Sequence, residues 1–302
     1  MKENAPSATA NVVARNVVLV ANRPGFAALV PPEAALLSGW FIADFSEGGR
    51  AFVRRATKRW FQALQRVYER LTIPGLALHQ ALRKRYIEHA VREGLLEGFD
   101  QLVVLGGGLD SLAVRLHTEF PEASFIELDH PATQSVKART LLRRRLIGQN
   151  LKLLAVDFTK QGLEETLNAC LDYSALRKTI FLAEGVLMYL DASEVDAVFD
   201  CVRRQSSSQK RFVFTFMEPD ASGKAGFRRS TWLVRLWLRL KGEPFKWGLQ
   251  GREMESFLTK RGFVLKEMAT PATFREIYLR EHGLEDAVLA EGEDVCVSDV
   301  SG

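Results

Sequence analysis

The chain has 302 residues, of which 47% are apolar and 26% charged, with a formal net charge of +4 and a pI of about 9.0. A chain of this length and composition can bury a large core, as one α/β domain with helical additions. The small positive charge gives little reason to expect nucleic acid binding. It has three cysteines (Cys170, Cys201 and Cys296) whose spacing fits no metal site or disulfide framework, and no apolar run long enough to span a bilayer. We therefore expect a cytoplasmic protein without a metal.

The first 95 residues predict a helical N-terminal cap. Residues 1–10 are polar and alanine-rich, which predicts disorder. Residues 11–45 are apolar but contain Pro24, Pro31 and Pro32, which predicts short helices separated by turns.

Residues 50–85 carry ten lysines and arginines against a single acid, Glu69. Apolar residues recur at helical spacing up to Leu71, so residues 50–71 predict one amphipathic basic helix. Two interpretations stay open. In the first, the apolar stripe packs on the core while the arginines face water. In the second, the helix contacts an acidic partner, either a protein such as a carrier or an anionic membrane surface.

The central stretch, Gln101 to Leu190, predicts the ligand site. An apolar strand, Leu102 to Leu105, leads directly into Gly106, Gly107 and Gly108, and a helix follows. Such a turn lets the backbone approach a ligand closely, and the helix N-terminus presents unpaired N–H groups to it.

Three further predicted strands end in acidic residues. They are Ser124 to Asp129, Leu151 to Val156 before Asp157, and Thr179 to Ala183 before Glu184. The carboxyl ends of parallel strands share one edge of an open α/β sheet, where ligands bind. Asp129 lies 23 positions after Gly106, where a doubly wound sheet places a carboxylate on ribose hydroxyls.

The glycine turn alone does not identify the nucleoside. Ser111 stands where a dinucleotide fingerprint has its third glycine, and no Gly-Lys-Ser/Thr of a P-loop follows. A nicotinamide-dependent dehydrogenase would share the first strand, the turn and the acid, but would not explain the segment around Glu184.

The remaining chain predicts a fifth strand at Lys210 to Met217, and later strands at Phe263 to Glu267 and Asp294 to Val297. Residues 220–248 interrupt the alternation with aromatic residues among arginines. We interpret this insertion as a lid over an apolar substrate; the alternative is an amphipathic helix that completes the core.

Four segments, LGGGLDS, FIELDHP, VDF and AEGVLMYL, resemble the leucine carboxyl methyltransferase and polyketide O-methyltransferase family, which uses S-adenosyl-L-methionine. The resemblance covers about residues 80–300 and is strongest over 101–190. It implies a Rossmann-like, seven-stranded methyltransferase sheet over residues 96–302, with an N-terminal helical extension at 1–95 and a helical lid insertion at 220–248.

The resemblance also implies how the methionine part of the cofactor is held. An arginine in the helix before the first strand, Arg83 or Arg85, would pair with its carboxylate, and Arg83 is favoured. The turn from Gly106 to Gly108 would pass along this part, and Glu184 would lie beside its ammonium group.

The nucleoside part would meet residues at the ends of the second and third strands. Asp129 would accept from the ribose hydroxyls, with Glu127 as the second choice. Asp157 would accept from the adenine amino group, and Phe158 would lie near the ring.

The methyl acceptor stays open. An ionised carboxylate needs no base, whereas a phenol does; His89 and Tyr189 are the candidates, although neither lies in a recognisable base motif. We expect O-methylation of a carboxylate or hydroxyl on a small apolar or carrier-bound molecule. The alternatives are methylation of a protein C-terminal carboxylate, a non-catalytic methyltransferase-like binding protein, and an NAD-dependent dehydrogenase.

Overall fold

The protein is described from a computed structural model that covers residues 6–158, 160–205 and 209–301. Over these residues, seven strands form a single sheet in the order β3-β2-β1-β4-β5-β7-β6. The strands are β1 (Gln101–Leu105), β2 (Ser124–Asp129), β3 (Leu151–Ala155), β4 (Thr179–Ala183), β5 (Lys210–Met217), β6 (Phe263–Ala269) and β7 (Glu293–Val300). The predicted Rossmann-like α/β sheet is confirmed.

Helices surround this sheet and precede it. They are α1 (Ala8–Ala21), α2 (Pro32–Phe45), α3 (Glu47–Ala56), α4 (Arg59–Thr72), α5 (Leu76–Leu96), α6 (Leu112–Glu119), α7 (Pro131–Arg143), α8 (Leu163–Ala169), α9 (Ala192–Arg204), α10 (Trp232–Lys241), α11 (Met254–Thr259) and α12 (Pro271–Phe274). Within the described ranges, none of them is both long enough and apolar enough to cross a membrane.

The direction of the strands determines which residues share one edge. Strands β1 to β5 pair in parallel, so their carboxyl ends meet at the same edge of the sheet. Strand β7 lies antiparallel between β5 and β6. Its first residue, Glu293, is therefore opposite Met217, the last residue of β5, and belongs to the same edge.

Alternating side chains of the strands contribute to two cores, one on each face of the sheet. In β1, Leu102 and Val104 point into the core that includes the N-terminal helices, whereas Val103 and Leu105 point into the core on the other face. Strands β1, β2 and β4 are buried along their whole length because helices cover both faces.

The N-terminal helices belong to the first of these cores. Helix α1 begins at Ala8, and the Ser7 side chain caps it by accepting from the Ala10 N–H at 3.1 Å. The predicted disorder of residues 1–10 is therefore wrong for residues 8–10, while residues 1–5 lie outside the described ranges. Apolar burial of Val17 to Val20 holds α1 against the core, which outweighs the polar composition of its first turn. The division into a cap at 1–95 and a domain at 96–302 stays a prediction.

The predicted single basic helix over residues 50–71 is wrong. Helix α3 ends at Ala56, the chain becomes extended at Lys58, and α4 begins at Arg59. Phe52 and Ala56 are buried in the core, so the expected packing holds for α3. The apolar residues of α4 behave differently, because four of the predicted stripe are exposed: Trp60, Leu64, Val67 and Leu71.

A buried ion pair joins β2 to α7 beneath the glycine turn. Glu127 in β2 and Lys137 in α7 are both almost completely excluded from water, and the Lys137 Nζ contacts the Glu127 Oε1. Burial raises the pKa of Glu127 from its ordinary value, and the charge of Lys137 opposes that rise. Glu127 therefore packs under the turn and does not line the cavity described below.

We predict that Lys137→Met destabilises the protein by about 3–5 kcal/mol, because it leaves a buried carboxylate without its partner. This loss in the free energy of unfolding should be larger at pH 8 than at pH 5. Without Lys137, the pKa of Glu127 in the folded state rises further above its value in the unfolded state. Such a carboxyl stabilises the fold while it is protonated, and this stabilisation is lost as the pH rises through the folded pKa. Urea unfolding at the two pH values measures this.

The matched control is the double variant Lys137→Met with Glu127→Gln, which removes the charge and should recover much of the loss. A single variant that loses less than about 1 kcal/mol would show that the pair does not hold β2 to α7.

Candidate functional site

A cavity of about 420 Å³ opens at the carboxyl ends of β1, β2, β3 and β4. This size is within the range of small-molecule and cofactor sites. Its floor contains the glycine turn and the residues that follow each strand, and its roof contains the first turn of α1 and parts of the insertion at 220–248. Eight sequence-predicted residues line it: Arg83, Gly106, Gly107, Gly108, Asp129, Asp157, Phe158 and Glu184. Tyr189 lines it as well.

The glycine turn brings the backbone into the cavity wall. Gly106 and Gly108 have φ values of +69° and +54°, in the region that side chains disfavour. Gly107 lies directly over the side chain of Glu127, where an added Cβ would overlap that carboxylate. The sequence needs three glycines here for two reasons: the backbone conformation at the outer two and the lack of space at the middle one.

Asp129 is fixed at the end of β2 by two backbone donors. Its Oδ2 accepts from the Gly108 N–H, and its Oδ1 accepts from the His130 N–H at 2.5 Å. Burial raises the pKa of this carboxyl, and the two N–H donors oppose the rise. The side chain therefore links the glycine turn to the end of β2 and still borders the cavity.

An ionic network closes the cavity near the end of β4. Arg83 of α5 donates from Nε and Nη2 to the Glu184 Oε1, at 3.0 and 2.7 Å, and from Nη1 to the Glu293 Oε1 at 2.5 Å. Lys84 Nζ lies 3.0 Å from the Glu184 Oε2 and 3.3 Å from the Asp110 Oδ1. The network thus connects α5, β4, β7 and the glycine turn.

The charges of this network keep two of its acids, Glu293 and Asp110, ionised. Burial alone would favour protonated Glu293, but Arg83 and His79 lower its pKa to about 2. Burial likewise opposes ionisation of Asp110, yet nearby Lys84 and Lys137 hold the pKa of this carboxyl well below its ordinary value. Both groups are therefore negative at neutral pH.

Besides Glu127, two other predicted residues do not line the cavity. Arg85 stacks over the Tyr278 ring, 5.0 Å from its centre, and donates to the Ala28 carbonyl at 3.1 Å. Side chains two residues apart in a helix point to nearly opposite sides, so Arg85 does not point in the direction of Arg83. His89 is exposed and lies 3.3 Å from Glu93, so the structure offers no contact between it and a bound acceptor.

The residues after β3 form the open end of the cavity. Asp157 lies 3.2 Å from the Lys160 Nζ, and Phe158 is 46% exposed. An aromatic ring this exposed at a cavity mouth is available to stack against a planar ligand.

The opposite end is built by the insertion and by α1. The Thr9 N–H and hydroxyl both donate to the Glu243 Oε2, the N–H at 3.2 Å. Tyr189 and Phe245 have ring centres 5.5 Å apart. Burial raises the pKa of Tyr189 above its ordinary value, so its hydroxyl stays protonated and can donate a hydrogen bond but cannot act as a base at neutral pH.

Sequence reasoning missed several residues that line this cavity. Glu293 could have been found, since an antiparallel last strand begins at the edge where the parallel strands end. Lys84, beside Arg83, gave no separate signal. Thr9 and Glu243 could not be found, because nothing in the sequence indicates that the N-terminus and the insertion meet. The role of the insertion as a lid stays a prediction, although Phe227, Glu243 and Phe245 do line the cavity.

Curated relatives include the Bacillus subtilis protein YktD, which is 30% identical over 65% of this chain and 64% of its own length. A protein of Mycobacterium avium is 28% identical over 61% of each chain. Both are assigned by name to the S-adenosyl-L-methionine-dependent methyltransferases. The chain covers 64%, 47% and 61% of the length of the first three curated relatives it matches, which is less than two thirds in each case.

Among solved structures, magnesium protoporphyrin IX methyltransferase from Synechocystis PCC 6803 superposes with a TM-score of 0.46 at 12% identity, covering 82% of this chain and 97% of that one.

The sequence profile of the leucine carboxyl methyltransferase family matches residues 30–203. This match begins before α2 and ends in α9, so it leaves the insertion at 220–248 outside. Because it covers more than half of the chain, the protein belongs to the leucine carboxyl methyltransferase family.

Proposed function

We propose that this protein is an S-adenosyl-L-methionine-dependent O-methyltransferase that acts on a small apolar or carrier-bound molecule. The observation that supports this most strongly is the meeting of Asp129, Asp157 and Glu184 with the glycine turn around one cavity. Family membership supports the same reaction class.

The charges of the cavity favour a cationic cofactor. Seven acidic residues border it together with three basic ones, Arg83, Lys84 and Lys246; the acidic residues are Asp110, Asp129, Asp157, Glu184, Glu194, Glu243 and Glu293. S-adenosyl-L-methionine carries a sulfonium, an ammonium and a carboxylate, and therefore one net positive charge. A surplus of carboxylates lowers the energy of such a ligand in a partly buried site.

The same charges disfavour a nicotinamide dinucleotide. In a dinucleotide site the pyrophosphate lies at the N-terminus of the helix after the glycine turn. Here Asp110 occupies that position, where its Oδ1 accepts from the Ser111 N–H at 2.6 Å. A pyrophosphate would meet a fixed carboxylate there, and the Ser111 N–H is already occupied.

Each part of the cofactor has a chemically suitable partner in the cavity. Asp129 can accept from ribose hydroxyls and Asp157 from an adenine amino group, and Glu184 can pair with an ammonium. Arg83 uses three of its five N–H donors in the contacts given above, which leaves two for the methionine carboxylate. The sequence analysis predicted the same roles, and we propose them here because these residues line one cavity.

When bound, the cofactor supplies an electrophilic methyl group, and the protein must hold the acceptor in line with it. The acceptor would bind at the end of the cavity that α1 and the insertion form. Its aromatic side chains, Tyr189, Phe227 and Phe245, favour a molecule with an apolar or aromatic body.

Glu243 favours a hydroxyl over a carboxylate as the acceptor. It is 6% exposed and fixed by Thr9, so an acceptor carboxylate placed beside it would meet a like charge. A phenol or other hydroxyl can instead donate its proton to Glu243 as the methyl group transfers. We therefore propose Glu243 as the general base, the role for which the sequence offered only His89 and Tyr189.

We predict that Asp129→Ala weakens S-adenosyl-L-methionine binding by about 1–3 kcal/mol, because polar groups of the ligand lose their partner. Isothermal titration calorimetry measures the affinity. Asp129→Asn removes the charge but keeps one acceptor oxygen for the glycine turn. The control for a general charge effect is Asp286→Ala, at an exposed acid elsewhere. Unchanged affinity in Asp129→Ala, with the fold intact, would show that the ribose lies elsewhere.

A second prediction concerns the base. Glu243→Gln should lower kcat for a phenolic acceptor roughly 10²–10⁴-fold, while KM changes little because the amide oxygen can still accept from Thr9. For a carboxylic acid acceptor the loss should be much smaller, since no proton is removed. A screen of phenols, carboxylic acids and a C-terminal peptide carboxylate, each followed by cofactor consumption, identifies the class.

The exposed residue Glu255 provides the matched control, because Glu255→Gln should leave turnover unchanged. Equal turnover of a phenol by Glu243→Gln and the unmodified protein would remove Glu243 from the mechanism. Cofactor binding without turnover of any of these acceptors would instead favour a non-catalytic binding protein.

A further inference from the structure

Helix α4 exposes an apolar stripe in place of burying it. Its buried residues are Phe61 and Gln62, whereas five large apolar or aromatic side chains at positions i, i+4, i+7, i+8 and i+11 are more than half exposed: Trp60, Leu64, Val67, Tyr68 and Leu71. This spacing places all five on one face of the helix. A helix whose only role is to cover a core would turn that face inward.

Helix α10 shows the same arrangement. Its buried residue is Leu238, while four apolar side chains at positions i, i+1, i+4 and i+8 are exposed: Trp232, Leu233, Leu236 and Leu240. Positions with this spacing share a face that points away from Leu238.

The two exposed stripes meet end to end. The Thr231 N–H donates to the Thr72 carbonyl at 3.2 Å, which joins the C-terminus of α4 to the N-terminus of α10. Leu71 and Trp232, the neighbouring residues, are the adjoining ends of the stripes. We call these nine exposed apolar residues the α4–α10 surface.

Cations border the α4–α10 surface. On α4, Arg59, Arg66 and Arg70 are exposed and recur at i, i+7 and i+11, which forms a row beside the apolar stripe; on α10, the exposed cations are Arg235, Arg239 and Lys241. The single acid in these two helices, Glu69, turns inward, where it pairs with Arg23 at 3.2 Å and accepts from the Ala77 N–H at 2.9 Å. The outer face of both helices is therefore apolar and positive.

This combination of apolar and positive side chains favours a lipid surface over a second copy of the chain. A second copy of the chain, docked through the same face, would bring arginines against arginines. An anionic lipid surface complements both features, because apolar side chains enter the acyl boundary while cations pair with headgroups, and tryptophan is favoured at such interfaces.

We propose that the α4–α10 surface docks on an anionic lipid bilayer. The placement of α10 gives this docking a consequence for the active site. Phe227 before α10 and Glu243 and Phe245 after it line the cavity, so docking would bring the acceptor end of the cavity close to the membrane. An apolar acceptor could then enter from the lipid phase.

The test is flotation of the full chain with vesicles, which needs no knowledge of the acceptor and no turnover. Vesicles of phosphatidylcholine mixed with phosphatidylglycerol should capture the protein, and pure phosphatidylcholine should capture much less. Each basic residue near an anionic leaflet is worth about 1 kcal/mol, so Arg66→Ala with Arg70→Ala should lower the partition coefficient roughly 30-fold. High salt should reproduce part of that loss.

A second variant tests the apolar part. Trp60→Ser with Trp232→Ser should lower capture roughly 100-fold, and because both side chains are at least 60% exposed the fold should be unaffected. The matched controls are Leu171→Ser and Arg252→Ala, exposed residues outside both helices, which should bind like the unmodified protein. No capture by anionic vesicles would overturn the proposal, as would a concentration-dependent dimer that the tryptophan substitutions abolish.

Discussion

The interaction on which the site depends is the contact of Arg83 with Glu184 and Glu293. The three residues come from α5, from the end of β4 and from the start of β7, so a single guanidinium joins elements that are distant in sequence. Charges this deeply buried are stable only when they are paired. The pairing therefore fixes how the N-terminal helices sit against the sheet edge, and the cavity exists between them.

Local sequence patterns predicted the centre of the fold well. Strands β2, β4 and β5 begin and end as expected, because each is an apolar run that a charged or small residue terminates. The parallel alternation of strands and helices then places their carboxyl ends at one edge without knowledge of any contact. For this reason Asp129, Asp157 and Glu184 could be expected to lie together from the sequence alone.

Patterns failed where a tertiary contact decides the outcome. The break at Lys58 divides the predicted basic helix, and no proline or glycine marks it. Helical spacing identified the apolar stripe of α4 correctly. It could not tell whether the stripe faces the core or the solvent, because a stripe has the same helical period in both cases. Arg83 and Arg85 both matched the family pattern, with Arg83 favoured, and the direction of the helix face separates them. The approach of Thr9 to Glu243 joins segments more than 200 residues apart.

The cavity has acidic walls that suit a sulfonium nucleoside, and its aromatic end adjoins a basic, apolar surface. The positive charge of the cofactor is the property that these walls select. The most direct measurement is a calorimetric titration of the full chain with S-adenosyl-L-methionine and, separately, with NAD⁺. We expect saturable one-to-one binding of S-adenosyl-L-methionine and no heat of binding with NAD⁺. Binding of NAD⁺, or of neither compound, would contradict this expectation.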